Sequence, residues 1–215
     1  MLNLKKYTPK FYSIYSKMGN RAFKLLDIGS GNHSASKTTK LFPNCEYHGV
    51  DMDKNYGYNN QDFSSMKAFY EMDLTKLEFS PIPENYFDFI SINHVIEHLF
   101  NGDEVLVKLS SKLKSNGYMY IEYPGIRSTK LPSMYGTLNF YDDKTHVRIY
   151  SVKEISELLI RNGFKVISSG NRRNILMIIS IPFRILYTLM KREKINANIF
   201  WDLLGFAEFV FVQKN

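Results

Sequence analysis

The sequence is poor in the residues that cross-link a chain. Among its 215 residues there is one cysteine, Cys45, which excludes an intrachain disulfide framework and a thiolate zinc cluster and makes a reducing, cytoplasmic setting the expectation. Acids are also in deficit: 21 Asp and Glu stand against 28 Lys and Arg, a formal net charge of +7. That balance admits an anionic partner without naming one. Long apolar runs are missing as well. The most apolar stretch, 175–190 (ILMIISIPFRILYTLM), is shorter than the roughly 20 residues that cross a bilayer and is broken by Pro182 and Arg184, so no transmembrane helix is expected. The opening MLNLKKYTPKFYSIY carries Lys5 and Lys6 but no sustained apolar core followed by a small-residue cleavage site, so it does not read as a secretory leader. Repeats, low-complexity tracts and Pro/Gly/Ser-rich linkers are absent. With 44% hydrophobic and 15% aromatic residues the chain can bury a core, and its length fits one domain over 1–215.

What is present is alternation. Apolar runs of strand length recur at 23–28, 47–50, 87–92, 118–123 and 165–167, separated by helically spaced stretches at 34–41, 102–113 and 151–161. In the last of these Ser151 can cap, Glu154 can complete a capping box, Ile155, Leu158 and Leu159 share a face, and Asn162-Gly163 ends the helix. Strands that are apolar along their whole length and alternate with helices imply a doubly wound α/β fold whose parallel sheet is covered on both faces. In such a sheet ligands bind beyond the carboxyl ends of the strands.

The first strand ends in Asp27-Ile28-Gly29-Ser30-Gly31-Asn32. Two alternate glycines allow a tight turn and close approach of a ligand to the backbone, although Gly-Ser-Gly is also an ordinary turn. The second strand ends at Asp51, 20 residues after Gly31, where an acid can accept hydrogen bonds from both hydroxyls of a ribose. A dinucleotide fingerprint would place a third glycine where Ser34 stands. A carboxylate at Asp27 would repel a pyrophosphate and attract an ammonium. A cofactor with a ribose and a cationic end fits these residues better, and S-adenosylmethionine has both.

The blocks LLDIGSGN (25–32), HGVDMD (48–53), YEMDL (70–74), FDFISINHVIEHL (87–99), LKSNGYMYIEYPG (113–125), THVRIYS and NGFKV, in this order, resemble the class I S-adenosylmethionine-dependent methyltransferases, in particular those with a His-x-x-Glu-His segment after strand four. The resemblance implies a Rossmann-like, mostly parallel seven-stranded sheet with an antiparallel last strand, here 206–212. It implies that Asp27, Gly29, Ser30 and Gly31 cradle the methionine part of the cofactor. Asp51 would hold the ribose, Met52 pack on the adenine, Asp73 and Leu74 meet its amine and ring edge, and Asn93 stand beside the sulfonium. Each residue also has a plainer reading: Asp51 as a helix cap, Met52 as core, Asp73 as the start of the turn before Thr75. Asn32 replaces the further glycine of many members.

A sulfonium methyl is already activated, so the protein has to align the acceptor and, for a hydroxyl, remove a proton. His98 and His146 are the candidate bases. His94, Glu97 and His98 share a face if their turn is helical and with His146 could hold a divalent ion. Some relatives with Glu-x-x-Glu-His are metal-dependent O-methyltransferases, but His94 in place of the first Glu weakens the case for magnesium, and no metal is expected. The irregular stretch after Pro124, within 126–150, reads as the substrate wall, with Tyr135, Tyr141 and Arg148 as candidate contacts. Between β-forming stretches lies a helical insertion, 172–205. Its 172–194 portion carries six of the basic residues against one acid, Glu193, which fits peripheral membrane contact, a lid or a homodimer seam as well as a buried helix. The leading expectation is O-methylation of a small molecule or glycan. The alternatives are a nucleic-acid methyltransferase, disfavoured by Asn93-His94-Val95-Ile96 at the strand end so that no nucleic acid is expected as partner, and a non-catalytic module that binds a membrane surface or partner.

Overall fold

A computed structural model of the chain describes residues 8–55 and 57–215; residues 1–7 of the opening stretch considered above lie outside the described residues. Seven strands form one sheet: β1 (Phe23–Ile28), β2 (Cys45–Asp51), β3 (Ala68–Glu71), β4 (Phe87–Asn93), β5 (Leu113–Pro124), β6 (Phe164–Asn171) and β7 (Ala207–Lys214). Their order is β3-β2-β1-β4-β5-β7-β6. The pairs among β1 to β5 are parallel, and β7 runs antiparallel to both β5 and β6. Chain order reverses at β1, which lies between β2 and β4, so a crevice opens beyond the carboxyl ends of these three strands.

Side chains alternate between the two sheet faces, and both faces are covered. Leu26, Ile28, Ile90, Ile92, Met119 and Ile121 pack under α4 (Gly102–Ser110) and α5 (Val152–Arg161). Phe23, Leu25, Tyr47, Phe89, Tyr120 and Phe211 face α1 (Pro9–Met18) and α2 (Ser34–Leu41). This two-sided burial is why the strands are apolar along their length. A short α3 (Asn60–Ser64) precedes β3. In α5 the Ser151 hydroxyl accepts from the Glu154 amide, as expected. The reciprocal half of the capping box is replaced, because the Glu154 carboxylate accepts from Arg148 at 2.6 Å.

Between β6 and β7 the chain forms α6 (Ile175–Ile179), α7 (Ile181–Met190), a 3-10 turn Ala197–Ile199 and α8 (Trp201–Leu204). The stretch after β5 holds two 3-10 turns, Ile126–Lys130 and Phe140–Asp142. Leu138 joins Ala197, Phe206 and Ala207 in a third core, with Trp201 packed against it, so these two segments together build one wall at the carboxyl edge of the sheet. Among the described residues no helix is long and apolar enough to cross a membrane.

Candidate active site

The turn after β1 is shaped by its glycines. Gly29 has φ +70°, and a Cβ there would come within 2.4 Å of Val95, so both conformation and space demand glycine. The amides of Gly29 and Ser30 donate to the Val50 carbonyl at 2.9 and 3.1 Å, which folds the turn over the end of β2. The Gly31 amide then donates to Asp51 Oδ2 at 3.0 Å, and the Met52 amide to Asp51 Oδ1 at 2.8 Å. Asp51 is thereby aimed into the crevice, beside a Met52 side chain that is 71% exposed. Met52 is therefore not core. The Tyr58 hydroxyl meets both Asp51 Oδ2 (3.0 Å) and Ser30 Oγ (2.7 Å), and burial pushes its pKa up.

Asp27 departs from expectation. The carboxylate does attract an ammonium, but the ammonium belongs to Lys10 of α1, whose Nζ lies 2.8 Å from both oxygens. Ser34 and Tyr47 also donate to Oδ2, at 2.6 and 2.5 Å, and Asp27 is 1% exposed. These contacts lock α1 and α2 onto β1. The Ser30 side chain is fully buried and engaged by Tyr58. The Leu74 side chain belongs to the main core, so only backbone contact is open to it. Asp73 accepts from the Thr75 amide and hydroxyl through Oδ1, realising the turn reading while its Oδ2 stays outside those bonds. Replacing Lys10 with Met would leave the buried Asp27 without a cation, and the unfolding free energy should fall by about 2–3 kcal/mol. An unchanged urea midpoint would show that the ammonium contributes nothing.

At the end of β4 the register sets Asn93 beside Glu122 of β5, with Asn93 Nδ2 donating to Ser91 at 2.6 Å. The expected helical turn does not begin at His94, which has φ +53°; a 3-10 turn covers only Ile96–His98. His94 instead lies between two carboxylates, Nδ1 3.3 Å from Glu97 and Nε2 3.2 Å from Glu122, with Trp201 against its ring at 5.0 Å. Glu122 is held in turn by Arg172 at 2.9 Å, and Arg172 by Asp202 at 2.8 Å. Burial disfavours the charged His94, but donation to Glu122 and the nearby carboxylates of Glu97 and Glu122 raise it to about 9. Burial opposes the charge on Glu122 too, and Arg172 and His94 hold it down to about 2. Acids and bases alternate along the row Glu97, His94, Glu122, Arg172, Asp202, and His94 and Glu122 are both held in their charged forms through the neutral range.

His98 and His146 do come together, with ring centroids 4.8 Å apart. His146 Nδ1 lies 2.7 Å from the Phe140 carbonyl, which can only accept, so Nδ1 carries a hydrogen and the neutral ring has its lone pair on Nε2. The Thr145 hydroxyl donates to Asp143 at 2.6 Å and so accepts from His98 Nδ1 at 2.9 Å, which leaves the His98 lone pair on Nε2 as well. Burial would raise Asp143, but the Thr145 hydroxyl and amide and the neighbouring histidines lower it. Glu97 is 1% exposed and neither of its oxygens finds a donor of good hydrogen-bond geometry. Donor atoms of Glu97, His98 and His146 lie within 4.8 Å of one another, the one group among the described residues that could hold a metal ion. His94 Nδ1 also lies 3.3 Å from Glu97 Oε1.

The crevice thus gathers Gly29, Gly31, Asp51, Met52 and Asn93 at the ends of β1, β2 and β4, with His98 and His146 beyond β4. Tyr135 and Tyr141 are exposed on the 126–150 wall. Arg148 is not free for substrate, being paired with Asp103 and Glu154. The sequence reading misses Lys10, Tyr58, Trp201 and the row through Glu122, Arg172 and Asp202. One signal was available: a glutamate inside the apolar YMYIEYP needs a buried partner.

The family model described as a methyltransferase domain matches residues 5–169. No curated protein matches the chain. Among solved structures, a SAM-dependent methyltransferase from Archaeoglobus fulgidus is 20% identical with a TM-score of 0.57, covering 100% of this chain and 98% of that one. A SAM-dependent methyltransferase from Aquifex aeolicus is 15% identical with a TM-score of 0.60, covering 100% and 94%. Haemonchus contortus phosphoethanolamine N-methyltransferase 2, solved with S-adenosyl-L-methionine, is 17% identical with a TM-score of 0.66, covering 94% of this chain and 51% of that one. At these identities the likeness is one of fold.

Proposed function

The chain belongs to the methyltransferase domain family, and on that premise we propose that it transfers the methyl group of S-adenosylmethionine to an oxygen of a small molecule or saccharide. The observation that carries the cofactor reading is Asp51, a carboxylate braced by the Gly31 amide at the switch point of the sheet, as a ribose needs. Met52 offers the adenine an exposed apolar side chain. Asp73, the backbone of Leu74 and Asn93 complete the set for the base and the reacting end, while Gly29, Gly31 and the Ser30 backbone let the methionine part approach. Asp27 and the Ser30 hydroxyl act behind this turn, holding its shape.

When bound, the cofactor supplies a methyl group activated by the sulfonium charge. The protein then has to hold the acceptor in line and receive its proton. His146 is the proposed base, because the Phe140 carbonyl fixes its ring with Nδ1 as the donor and Nε2 as the nitrogen that can receive a proton, and His98 is the second acceptor, fixed through Thr145 and Asp143. A pair of imidazole lone pairs favours a hydroxyl acceptor, and the exposed rings of Tyr135 and Tyr141 offer flat apolar surface to a sugar or a planar molecule.

Isothermal titration with S-adenosylhomocysteine, the reaction product, tests the reading. Wild-type protein should bind it, and Asp51→Ala should weaken binding about a hundredfold, the loss of two hydrogen bonds to a charged group. Equal affinity in the variant, or no binding at millimolar ligand, would refute it.

A further inference from the structure

The helices between β6 and β7 break the rule that the rest of the molecule obeys. Each of the longer helices α1, α2, α4 and α5 has buried residues, whereas α6 and α7 have none. Ser180 between them keeps helical torsions, so they run on as one bent rod. Along it Leu176, Ile179, Phe183, Leu186 and Met190 are all exposed, Phe183 and Met190 to 73% and 75%. Their spacing of three and four residues puts them on one stripe, roughly 20 Å long at 1.5 Å per residue.

The stripe is framed by charge of one sign. Arg173 precedes it, and Lys191, Arg192 and Lys194 follow it, all four exposed. Among the described residues none of the four lies within ion-pair distance of a carboxylate, and Glu193 is the only acid of the stretch. Arg172 is set apart from this group, half-buried and paired with Glu122 and Asp202. A cleft of ≈ 490 Å³ opens beside α7, with Arg184 and Lys194 among its lining residues.

We propose that this face docks on an anionic lipid bilayer, with the rod lying in the interfacial plane. The apolar stripe is too short to cross and suited to lie at the headgroup boundary, and the uncompensated cations at its ends match anionic headgroups. A second copy fits less well, because a symmetric seam would bring like charges together. Arg172 and Asn174 tie the start of the rod to Asp202, next to Trp201 at the site wall, so docking would turn that wall toward the lipid. The inference rests on this surface alone and stands whether or not the chain transfers methyl groups.

Sedimentation of the full chain with phosphatidylcholine vesicles, and with vesicles holding 30% phosphatidylglycerol, tests it. Pelleting with the anionic vesicles is expected, at least tenfold stronger than with the neutral ones and weakened by 0.5 M salt. Neutralising Lys191, Arg192 and Lys194 to Ala should weaken it about a hundredfold, and Phe183→Ser with Met190→Ser should do so at least tenfold. These side chains are exposed, so unchanged circular dichroism should accompany both losses. Absence of anionic-vesicle binding by folded protein, or binding that survives both variants, would overturn the proposal. So would a concentration-dependent dimer, abolished by the Phe183 and Met190 changes, that excludes vesicles.

Discussion

Arg172→Met is expected to lower the unfolding free energy by about 3–5 kcal/mol, the loss that follows when a buried ion pair is broken from one side. The guanidinium forks between Glu122 and Asp202, at 2.9 and 2.8 Å, and both acids are buried. Methionine fills similar volume but leaves Glu122 with only His94 and the Tyr120 hydroxyl, and Asp202 with the Asn174 amide. Arg172→Lys should restore only part of the loss, since one ammonium nitrogen does not span the two positions from which Nη1 and Nη2 reach Glu122 and Asp202. Urea unfolding measures it, and a variant as stable as the parent would mean that the row is electrostatically idle.

The same row sets a pH window. Glu122 has a folded value of about 2 against an ordinary 4.5, so its contribution is present above 4.5 and lost as pH falls toward 2. His94 has a folded value of about 9 against an ordinary 6.5, so its contribution is complete below 6.5 and lost as pH rises through 9, by up to ~3 kcal/mol. Stability from this row should therefore be greatest between about 4.5 and 6.5, and His94→Gln should flatten the alkaline limb.

His146→Ala is expected to lower kcat by 10²–10⁴, the usual contribution of a positioned general base, with cofactor affinity unchanged. His98→Ala should cost less, because the His98 ring is fixed through a hydroxyl rather than directly by a carbonyl. Glu97 beside them raises the question of a cation, and the answer is separable: transfer should proceed undiminished in a chelator. Activity lost to the chelator and restored by a divalent ion would move Glu97, His98 and His146 from proton transfer to metal binding.

Much of the sheet was legible because burial on both faces writes continuous apolar runs, and α2 matched at both ends, Ser34 and Leu41. Asp51 was legible because its spacing from Gly31 reflects one strand, one helix and one return. The Lys10 partner of Asp27 was not legible for a physical reason: sequence shows that a carboxylate seeks a cation but not which one arrives, and Lys10 lies on another element. His94 was misread by helical spacing, since its left-handed torsion follows from the crowded exit of β4. The pairing of Glu122 with Arg172 spans 50 positions, and no local pattern encodes it.

The central claim is that the ends of β1, β2 and β4 bind the adenosyl cofactor. Backbone amide spectra recorded while S-adenosylhomocysteine is added test it most directly. Shifts concentrated at 29–31, 51–53, 73–74 and 93–94 are the predicted result. Saturating shifts elsewhere with those amides unmoved would contradict it.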